Sequence, residues 1–589
     1  MYKRQLESLS AVTGSDVSVL ESRLLDLTRR EFLVHELDPR SPERGQYAFV
    51  QGIIREIAYG MLSKADRRAR HLAVAHHFEA VGDDELAGAV ASHYLEALKA
   101  TPDGADREAL SARARDWLAQ AAERATELGS PEQALALADQ ALAITAAGRE
   151  RAEILQVAAD AAGDALKTER QLDYLSEAVE VLGALGDDEE QLTVMGVLAS
   201  EIGNHNDVDR LSEILEQMRP RIGATDSDLA RAEFEQASAY LHYFKGDLES
   251  SLACIDRALA GFEAGHADAR FRKTLTLRAN LLMSLGRHRE SATLRRGMLA
   301  VANEENDLRT AATVLIGLSI EAEDAAEALE LGLEAAAVAR RGGCGRPHVV
   351  ALANSAEMAV ECGAWTTAEE VIAELQSMTG LPAEATDAIE QDLALLAAYR
   401  GDASAARQAM ARVSEETTAS ADPTLRSWNL RVESVLLLFE GDLEAAYETA
   451  IAALDAEANE GANTDIAAYF AGRAALWLGD VAKAREALRR MPVVERRWHV
   501  AVRRALEAGL TALEGSPEEA STIFETVLAA RLAQGDPFTH AFFTLDAVAV
   551  LPANLLPEGA IDTAREYLRE LGADGLLSRL PAESLQGAR

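Results

Sequence analysis

The segment EGDLEAAYETAIAAL, residues 440–454, contains the pattern that decides the fold. In it Gly441 is followed by Asp442 and then by an Ala-rich run whose apolar residues have helical spacing. Glycine readily adopts the left-handed conformation that ends a helix, and a following aspartate caps the next one. The segment therefore predicts the turn of a helical hairpin and the first residues of its second helix.

The same arrangement recurs along most of the chain. The glycines of its eight instances are Gly129, Gly246, Gly286, Gly363, Gly401, Gly441, Gly479 and Gly515. From Gly246 onward the spacings are 40, 77, 38, 40, 38 and 36 residues, and 117 residues separate the first two glycines. The two long gaps are close to two and three times 39, which predicts one repeating hairpin and three units without the glycine.

One hairpin cannot bury both of its faces, so consecutive hairpins must stack to form a continuous core. We expect about eleven or twelve hairpins between residues 108 and 580. Their Ala-rich second helices resemble those of the tetratricopeptide repeat family, although the W-x₂-L-G-x₂-Y start of that family is absent. The predicted fold is all-α: a tetratricopeptide-like α/α superhelical solenoid over residues 101–589, preceded by a partial winged-helix domain over residues 1–100.

Composition and charge narrow the classes of function. The chain has 589 residues and a net charge of -39. Residues 1–80 have a net charge of +1, so the other residues together have a net charge of -40. A strongly acidic array repels nucleic-acid phosphates, so a nucleic-acid partner is not expected. The sequence has no apolar run long enough to predict a membrane-spanning helix. Its only three cysteines, Cys254, Cys344 and Cys362, are typical of a protein in a reducing compartment. We therefore expect a cytoplasmic protein with no membrane partner.

The first hundred residues follow a different pattern, and the loop at residues 101–104 (TPDG) is a candidate boundary. Residues 16–38 predict one helix, residues 39–45 a turn, residues 46–50 a short strand, and residues 51–80 two more helices. The apolar residues near one face of the first helix are Val19, Leu20, Leu24, Leu27 and Leu33. Helix, β-wing and helix in this order are typical of a winged-helix domain.

The sequence of residues 41–79 has a closer resemblance to a known family; it reads SPERGQYAFVQGIIREIAYGMLSKADRRARHLAVAHHFE. It resembles a segment of bacterial adenylate/guanylate cyclase homologues that contain a signal-transduction ATPase module of the AAA/STAND type and a tetratricopeptide-like array. In that family the segment closes the ATPase module just before the array. The resemblance is close over about residues 5–100, whereas the array resembles that of the family only in its general repeat pattern. It implies that a cyclase or ATPase module, in cis or in trans, is a partner.

The catalytic motifs of those homologues are missing from the sequence. No Gly-Lys pair occurs, so no G-x-x-x-x-G-K-[ST] phosphate loop is possible, and no pair of metal-binding aspartates lies in a βαβ setting. We therefore expect no enzyme, no catalytic residue, no cofactor and no metal, unless the native chain extends upstream of Met1 into cyclase or ATPase domains. A start inside the resembling segment predicts a separate downstream reading frame or a truncated product.

A basic cluster at the end of the first segment is the candidate interaction surface, and its members are Arg67, Arg68 and Arg70. They could contact DNA phosphates if the winged helix reads DNA. Alternatively they pair with acidic neighbours or contact an ATPase module in cis. The acidic array favours the second interpretation.

Two other groups of residues are weaker candidates. His71, His76, His77 and His93 form a group that could bind a metal, but positions 71, 76 and 77 cannot all face one side of a helix. Packing or capping is therefore favoured over a metal site. Four tryptophans, Trp365, Trp428, Trp477 and Trp498, are scattered through the array. They could bind a peptide or small ligand on a concave face, but packing in the core is favoured.

Two functions from different classes remain. The first is a non-catalytic regulatory scaffold, in which the array binds a protein or small effector and couples it to a cyclase or signalling ATPase. The second is a winged-helix transcriptional regulator with the array as its sensor arm. An enzymatic label would apply to this chain only by descent from the cyclase homologues.

Overall fold

The structure is a computed structural model that describes residues 6–36, 45–414, 423–456, 464–492 and 496–582. These residues form thirty α-helices and a single two-stranded antiparallel sheet. The N-terminal elements are α1 (Leu6–Thr13), α2 (Val17–Arg29), β1 (Leu33–His35), β2 (Tyr47–Phe49), α3 (Gly52–Gly60), α4 (Lys64–Val81) and α5 (Ala87–Lys99). None of the described helices is long and apolar enough to cross a membrane.

Twelve antiparallel helix pairs follow in the described residues. The first six pairs are α6 (Ala105–Glu127) with α7 (Pro131–Ala143), α8 (Arg149–Asp164) with α9 (Thr168–Leu185), α10 (Asp188–Asn204) with α11 (Val208–Ile222), α12 (Asp228–Phe244) with α13 (Leu248–Ala264), α14 (Asp268–Ser284) with α15 (His288–Glu305), and α16 (Leu308–Ile320) with α17 (Ala325–Arg341). The next six are α18 (Gly345–Glu361) with α19 (Trp365–Ser377), α20 (Ala383–Arg400) with α21 (Ala403–Met410), α22 (Pro423–Glu440) with α23 (Leu443–Ala456), α24 (Thr464–Leu478) with α25 (Val481–Arg490), α26 (Arg497–Leu513) with α27 (Pro517–Ala533), and α28 (Pro537–Val550) with α29 (Ala560–Leu571). The short helix α30 (Asp574–Leu577) ends the array. The predicted tetratricopeptide-like α/α solenoid is confirmed.

The turns inside the pairs have the predicted backbone. All eight glycines of the repeat have φ between 68° and 98°. Leu166 and Asn206, with φ of 58° and 61°, take the same left-handed conformation at two of the three positions where the glycine is missing. The third such turn, at residues 321–324, is closed by Asp324, which accepts a 3.1 Å hydrogen bond from the backbone N–H of Glu327.

The aspartates after the glycines cap the second helices, as predicted. Asp442 accepts from the backbone N–H of Ala445 at 3.1 Å, and Asp480 accepts from those of Ala482 and Lys483. The serines at the equivalent positions, 130 and 516, make no capping hydrogen bond. A proline follows each of them and starts the helix with its fixed φ.

The chain divides into two compact units. The first comprises Met1–Ala165 and Glu169–Gly186, and the second comprises Leu166–Thr168 and Asp187–Arg589. The boundary predicted at residues 100/101 lies within the first unit, where α5 packs against α6. That residues 1–100 and 101–589 are domains of different type stays a prediction.

The N-terminal elements match the sequence analysis in part. The strand predicted at residues 46–50 is β2, and the two helices predicted after it are α3 and α4. The single helix predicted for residues 16–38 is wrong beyond Arg29, because Glu31 takes a left-handed conformation and Leu33 begins a strand paired with Phe49. The turn predicted at residues 39–45 lies almost wholly outside the described residues, and the winged-helix assignment stays a prediction.

Small residues allow close contact between the helices of the second unit. Ala446, Ala450 and Ala453 of α23 are fully buried. At Gly196 in α10 the neighbouring α12 lies so near that a Cβ atom would be 2.4 Å from the Cβ of Glu233. Where the space between two helices is too small for a methyl group, a residue larger than glycine forces the helices to move apart.

This spacing gives a stability prediction. We expect Gly196→Ala to lower the free energy of unfolding by about 1–3 kcal/mol, because the added methyl group overpacks the contact. The matched control is Gly297→Ala in α15, where a Cβ would have nothing within 4 Å. That change should stabilise the helix by up to about 1 kcal/mol. Urea denaturation of both variants checks this, and equal effects would contradict the close contact.

Candidate functional site

The helix α28 lies inside the second unit instead of on its surface. Ten consecutive residues of this helix, 538–547, are buried, so it contacts its surroundings on every side. It packs against α24, α26, α27 and α29. Its aromatic rings also reach earlier repeats: Phe538 is 6.1 Å from Trp365 and Phe542 is 5.6 Å from Tyr399, measured between ring centroids. The array therefore curves around one of its own helices.

A cavity of about 310 Å³ remains between α28 and the surrounding helices. Seven aromatic side chains line it: Tyr399, Trp428, Tyr469, Phe470, Trp498, Phe538 and Phe542. Its charged or titratable lining residues are His288, Glu323, Asp324, Glu357, Glu361, Arg473, Arg496 and His499. The volume is at the lower end of the range for small-molecule pockets, and the mixture of rings and a few charges is typical of them.

One buried ion pair joins α28 to the wall of the cavity. The guanidinium of Arg473 donates to the carboxylate of Asp546 from Nε at 2.8 Å and from Nη2 at 3.1 Å, and both side chains are fully buried. Trp477 Nε1 donates to the same carboxylate at 3.0 Å. The rings of Tyr469 and Phe542 lie 4.1 and 4.3 Å from the guanidinium carbon, so the cation is held between two aromatic faces.

The third nitrogen of this guanidinium, Arg473 Nη1, is buried and has no hydrogen-bond partner among the described residues. Arg473 also lines the cavity. Burial lowers the pKa of Arg473 and raises that of Asp546, since each charge has lost its contact with water.

A second buried arginine forms ion pairs with two glutamates of α18. Arg431 Nη1 donates to Glu361 Oε1 at 2.6 Å, and its Nη2 donates to Glu357 Oε1 at 3.1 Å. The ring of Trp428 lies 4.0 Å from this guanidinium. Asp392 of α20, which interacts electrostatically with Arg431 and Glu361, is only 1% exposed, and its Oδ1 has no hydrogen-bond partner in the described part of the chain.

Arg431 is the arginine nearest to all three carboxylates, Glu357, Glu361 and Asp392, in the described part of the chain. Burial raises the pKa of Glu357 well above its usual value, and the negative charges of Glu361 and Asp392 raise it further, against the lowering effect of Arg431. Burial likewise raises the pKa of Asp392. Glu357 and Asp392 therefore bind their protons more tightly than ordinary surface carboxylates do.

The remaining edge of the cavity is formed where two distant loops meet. Arg496 Nη1 donates to the carbonyl oxygen of Ile320 at 2.9 Å, and the backbone N–H of Trp498 donates to that of Glu323 at 3.2 Å. Burial, with the nearby Arg496, lowers the pKa of His499 to about 3, so this imidazole is neutral at physiological pH. These contacts join residues 320–324 to residues 496–499 beside the cavity.

The basic cluster predicted from the sequence lies in the first unit. Arg67 donates to the carbonyl oxygens of Gly60 and Leu62, both at 3.1 Å, and so braces the turn before α4. Arg68 pairs with Asp106 at 2.8 Å. Arg70 is exposed. Two of the three arginines are thus engaged within the unit, and their role as an interaction surface stays a prediction.

The other candidate residues have separate environments. His71 and His93 share a hydrogen bond between their Nδ1 atoms at 2.8 Å, and Tyr59 bonds the other nitrogen of His71. No group of three or more possible metal ligands is found among the described residues. The four tryptophans have different environments. Trp428 and Trp498 line the cavity, Trp365 is buried, and Trp477 donates a hydrogen bond to Asp546.

Sequence reasoning missed the charged residues of the site. Arg473 stands alone in the apolar run AYFAGRAALWL, residues 468–478, and Asp546 stands alone in FFTLDAVAV, residues 542–550. A single charge in an otherwise apolar helix indicates a buried partner, because an unpaired buried charge is costly. That signal was available, but it does not say which two of the helices meet.

The sequence matches no protein-family model and no curated protein. Among solved structures, the chain is similar to the anaphase-promoting complex hetero-tetramer Cut9–Hcn1, with 12% identity, a TM-score of 0.43, and coverage of 87% of this chain and 95% of that one. It is also similar to a signal transduction ATPase with numerous domains that has a tetratricopeptide repeat sensor, PH0952 from Pyrococcus horikoshii. The identity there is 12%, the TM-score 0.39, and the coverage 75% of this chain and 62% of that one.

The buried ion pair gives a second stability prediction. We expect Asp546→Ala to lower the free energy of unfolding by about 3–5 kcal/mol, because it leaves the charge of Arg473 buried without a carboxylate. Combining Arg473→Met with Asp546→Leu should recover most of the loss, since no charge is then left in the interior.

The control is Glu514→Ala, which breaks the exposed pair with Arg485 and should cost no more than about 1 kcal/mol. Thermal and urea denaturation measure all four proteins. Equal losses for Asp546→Ala and Glu514→Ala would contradict the burial of α28.

Proposed function

We propose that the array of the second unit is the non-catalytic sensor part of a regulatory protein and that it binds a small effector in the cavity around α28. The observation that carries this proposal is the cavity itself: about 310 Å³, inside the repeat array, lined by seven aromatic rings and by buried charges. A stack of helical hairpins does not need such a space for stability, because an unfilled volume loses packing contacts.

A binding role is favoured over a catalytic one by what the charged groups of the cavity do. Arg473 is held by Asp546, and Glu357 and Glu361 are both held by Arg431. His499 has a pKa of about 3 and is a poor general base near neutral pH. These pairs are suited to orient and select a ligand, which is what we propose they do.

The proposal includes coupling of the sensor to a cyclase or a signalling ATPase, which rests on the resemblance of residues 5–100. An exposed apolar surface on α3 supports a protein contact in this region. Ile53, Ile57 and Met61 are 56%, 59% and 83% exposed, and α3 has no buried residue. Apolar side chains in such a group favour a protein partner.

The alternative, a transcriptional regulator that reads DNA through a winged helix, has less support. Two of the three arginines of the basic cluster already bond within the first unit. An apolar helix next to them is better suited to a protein surface than to phosphates.

The proposed ligand site is tested by filling the cavity. Ala325 lines it and is half-buried, whereas the next residue, Ala326, is exposed and outside the lining. We expect Ala325→Trp to abolish the thermal stabilisation that small molecules from a fragment library give the wild-type protein, because the indole takes the space of the ligand. Ala326→Trp should retain it.

Differential scanning fluorimetry followed by calorimetry on the best fragments makes the measurement. Fragments that stabilise all three proteins equally would place binding elsewhere, and the proposal would then be wrong. The proposal would also be wrong if no fragment stabilised the wild-type protein.

A further inference from the structure

Three aromatic rings of the cavity wall already contact cationic side chains of the protein itself. Two guanidinium groups lie against aromatic rings there: Arg431 against Trp428 at 4.0 Å, and Arg473 between Tyr469 and Phe542 at 4.1 and 4.3 Å. The faces of aromatic rings carry negative electrostatic potential, which attracts cations and repels anions. Aromatic rings in a cavity lining therefore favour a cationic group over an anionic one.

The acidic groups of the cavity exceed the cations that neutralise them. Glu357 and Glu361 line the cavity, Asp392 interacts electrostatically with both, and Arg431 is the one basic residue paired with this group in the described structure. If all three carboxylates are ionised, the group carries two negative charges in excess. A buried excess of this kind is stabilised by a further cation or by protons.

A second, independent feature of the wall indicates an occupant. Arg473 is fully buried and lines the cavity, and its Nη1 has no partner among the described residues. Because Asp546 already balances the charge of this guanidinium, Nη1 offers a hydrogen bond without requiring an anion. Tyr399 also lines the cavity, and burial raises the pKa of its hydroxyl.

We propose that the cavity binds a small organic cation: an ammonium or guanidinium head against Glu357 and Glu361, an apolar body among the aromatic rings, and a hydrogen-bond acceptor on Arg473 Nη1. This inference rests on the proposed sensor function and names the class of its effector. The opposing feature is Arg496, a cavity-lining cation for which no carboxylate partner is found among the described residues and which would favour an anion. It bonds Ile320 at the edge of the cavity, away from the paired glutamates of α18.

Three probes with the same body test the charge preference: phenethylamine, 2-phenylethanol and phenylacetate. We expect isothermal titration calorimetry to show phenethylamine binding about tenfold tighter than 2-phenylethanol, since an ammonium gains charge-assisted hydrogen bonds and cation–π contacts. Phenylacetate should bind most weakly. Tighter binding of 2-phenylethanol or phenylacetate would overturn the inference and leave the sensor function standing, whereas binding of none of them, together with the absence of any fragment hit, would overturn both.

Variants place the head of the ligand. Glu361→Gln should remove most of the preference for phenethylamine over 2-phenylethanol and leave the affinity for 2-phenylethanol within about threefold. Glu357→Gln is the second variant, in case the first does not fold. The matched control is Glu525→Gln, which makes the same charge change at an exposed position outside the cavity. An equal loss of preference in the control would contradict a specific contact.

Proton release gives a readout that a merely structural role for these glutamates would not move. Burial raises the pKa of Glu357 and of Asp392, next to Glu361 and Arg431, and a bound ammonium favours their ionised forms. Binding should therefore release protons, and the affinity should rise as the pH rises through these raised pKa values. Calorimetry in two buffers of different ionisation enthalpy measures the release. Binding of phenethylamine without proton release would place its head elsewhere and overturn the assignment.

Discussion

The ion pair between Arg473 and Asp546 is the constraint on which the interior of the array depends. A carboxylate on a helix that is buried on all sides costs several kcal/mol unless donors meet it. Here the guanidinium and the indole N–H of Trp477 converge on Asp546. This fixes the register of α28 against α24, and with it the positions of Phe538 and Phe542. The cavity is the space left once these rings are in place.

The two buried arginines explain why the cavity has a defined chemistry. Each is paired with carboxylates and packed against aromatic rings, so its donors and charge have fixed directions. Preorganised charges bind a ligand with little loss of entropy, because the side chains do not have to be ordered on binding. Arg431 and Arg473 thus serve the fold first, and they set the character of the cavity as a consequence.

The repeat could be predicted from the sequence because its signals are local. A glycine such as Gly441 followed by Asp442 determines a turn and a cap within a few residues, and the spacing then gives the number of hairpins. The position of α28 inside the array depends on helices far apart in sequence, and no local pattern reveals it. The helix predicted for residues 16–38 failed for the same reason: pairing of Leu33 with Phe49 prevails over a helical pattern.

Residues 538–547 of α28 lie inside the array, and hydrogen–deuterium exchange of the backbone amides of this helix tests that placement most directly. Amides of a helix enclosed by other helices exchange only when the surrounding structure opens. We predict that the peptide covering 537–550 exchanges as slowly as the peptide covering α24, and more slowly than that covering α25. Exchange as fast as in α25 would contradict the enclosed helix, and with it the cavity.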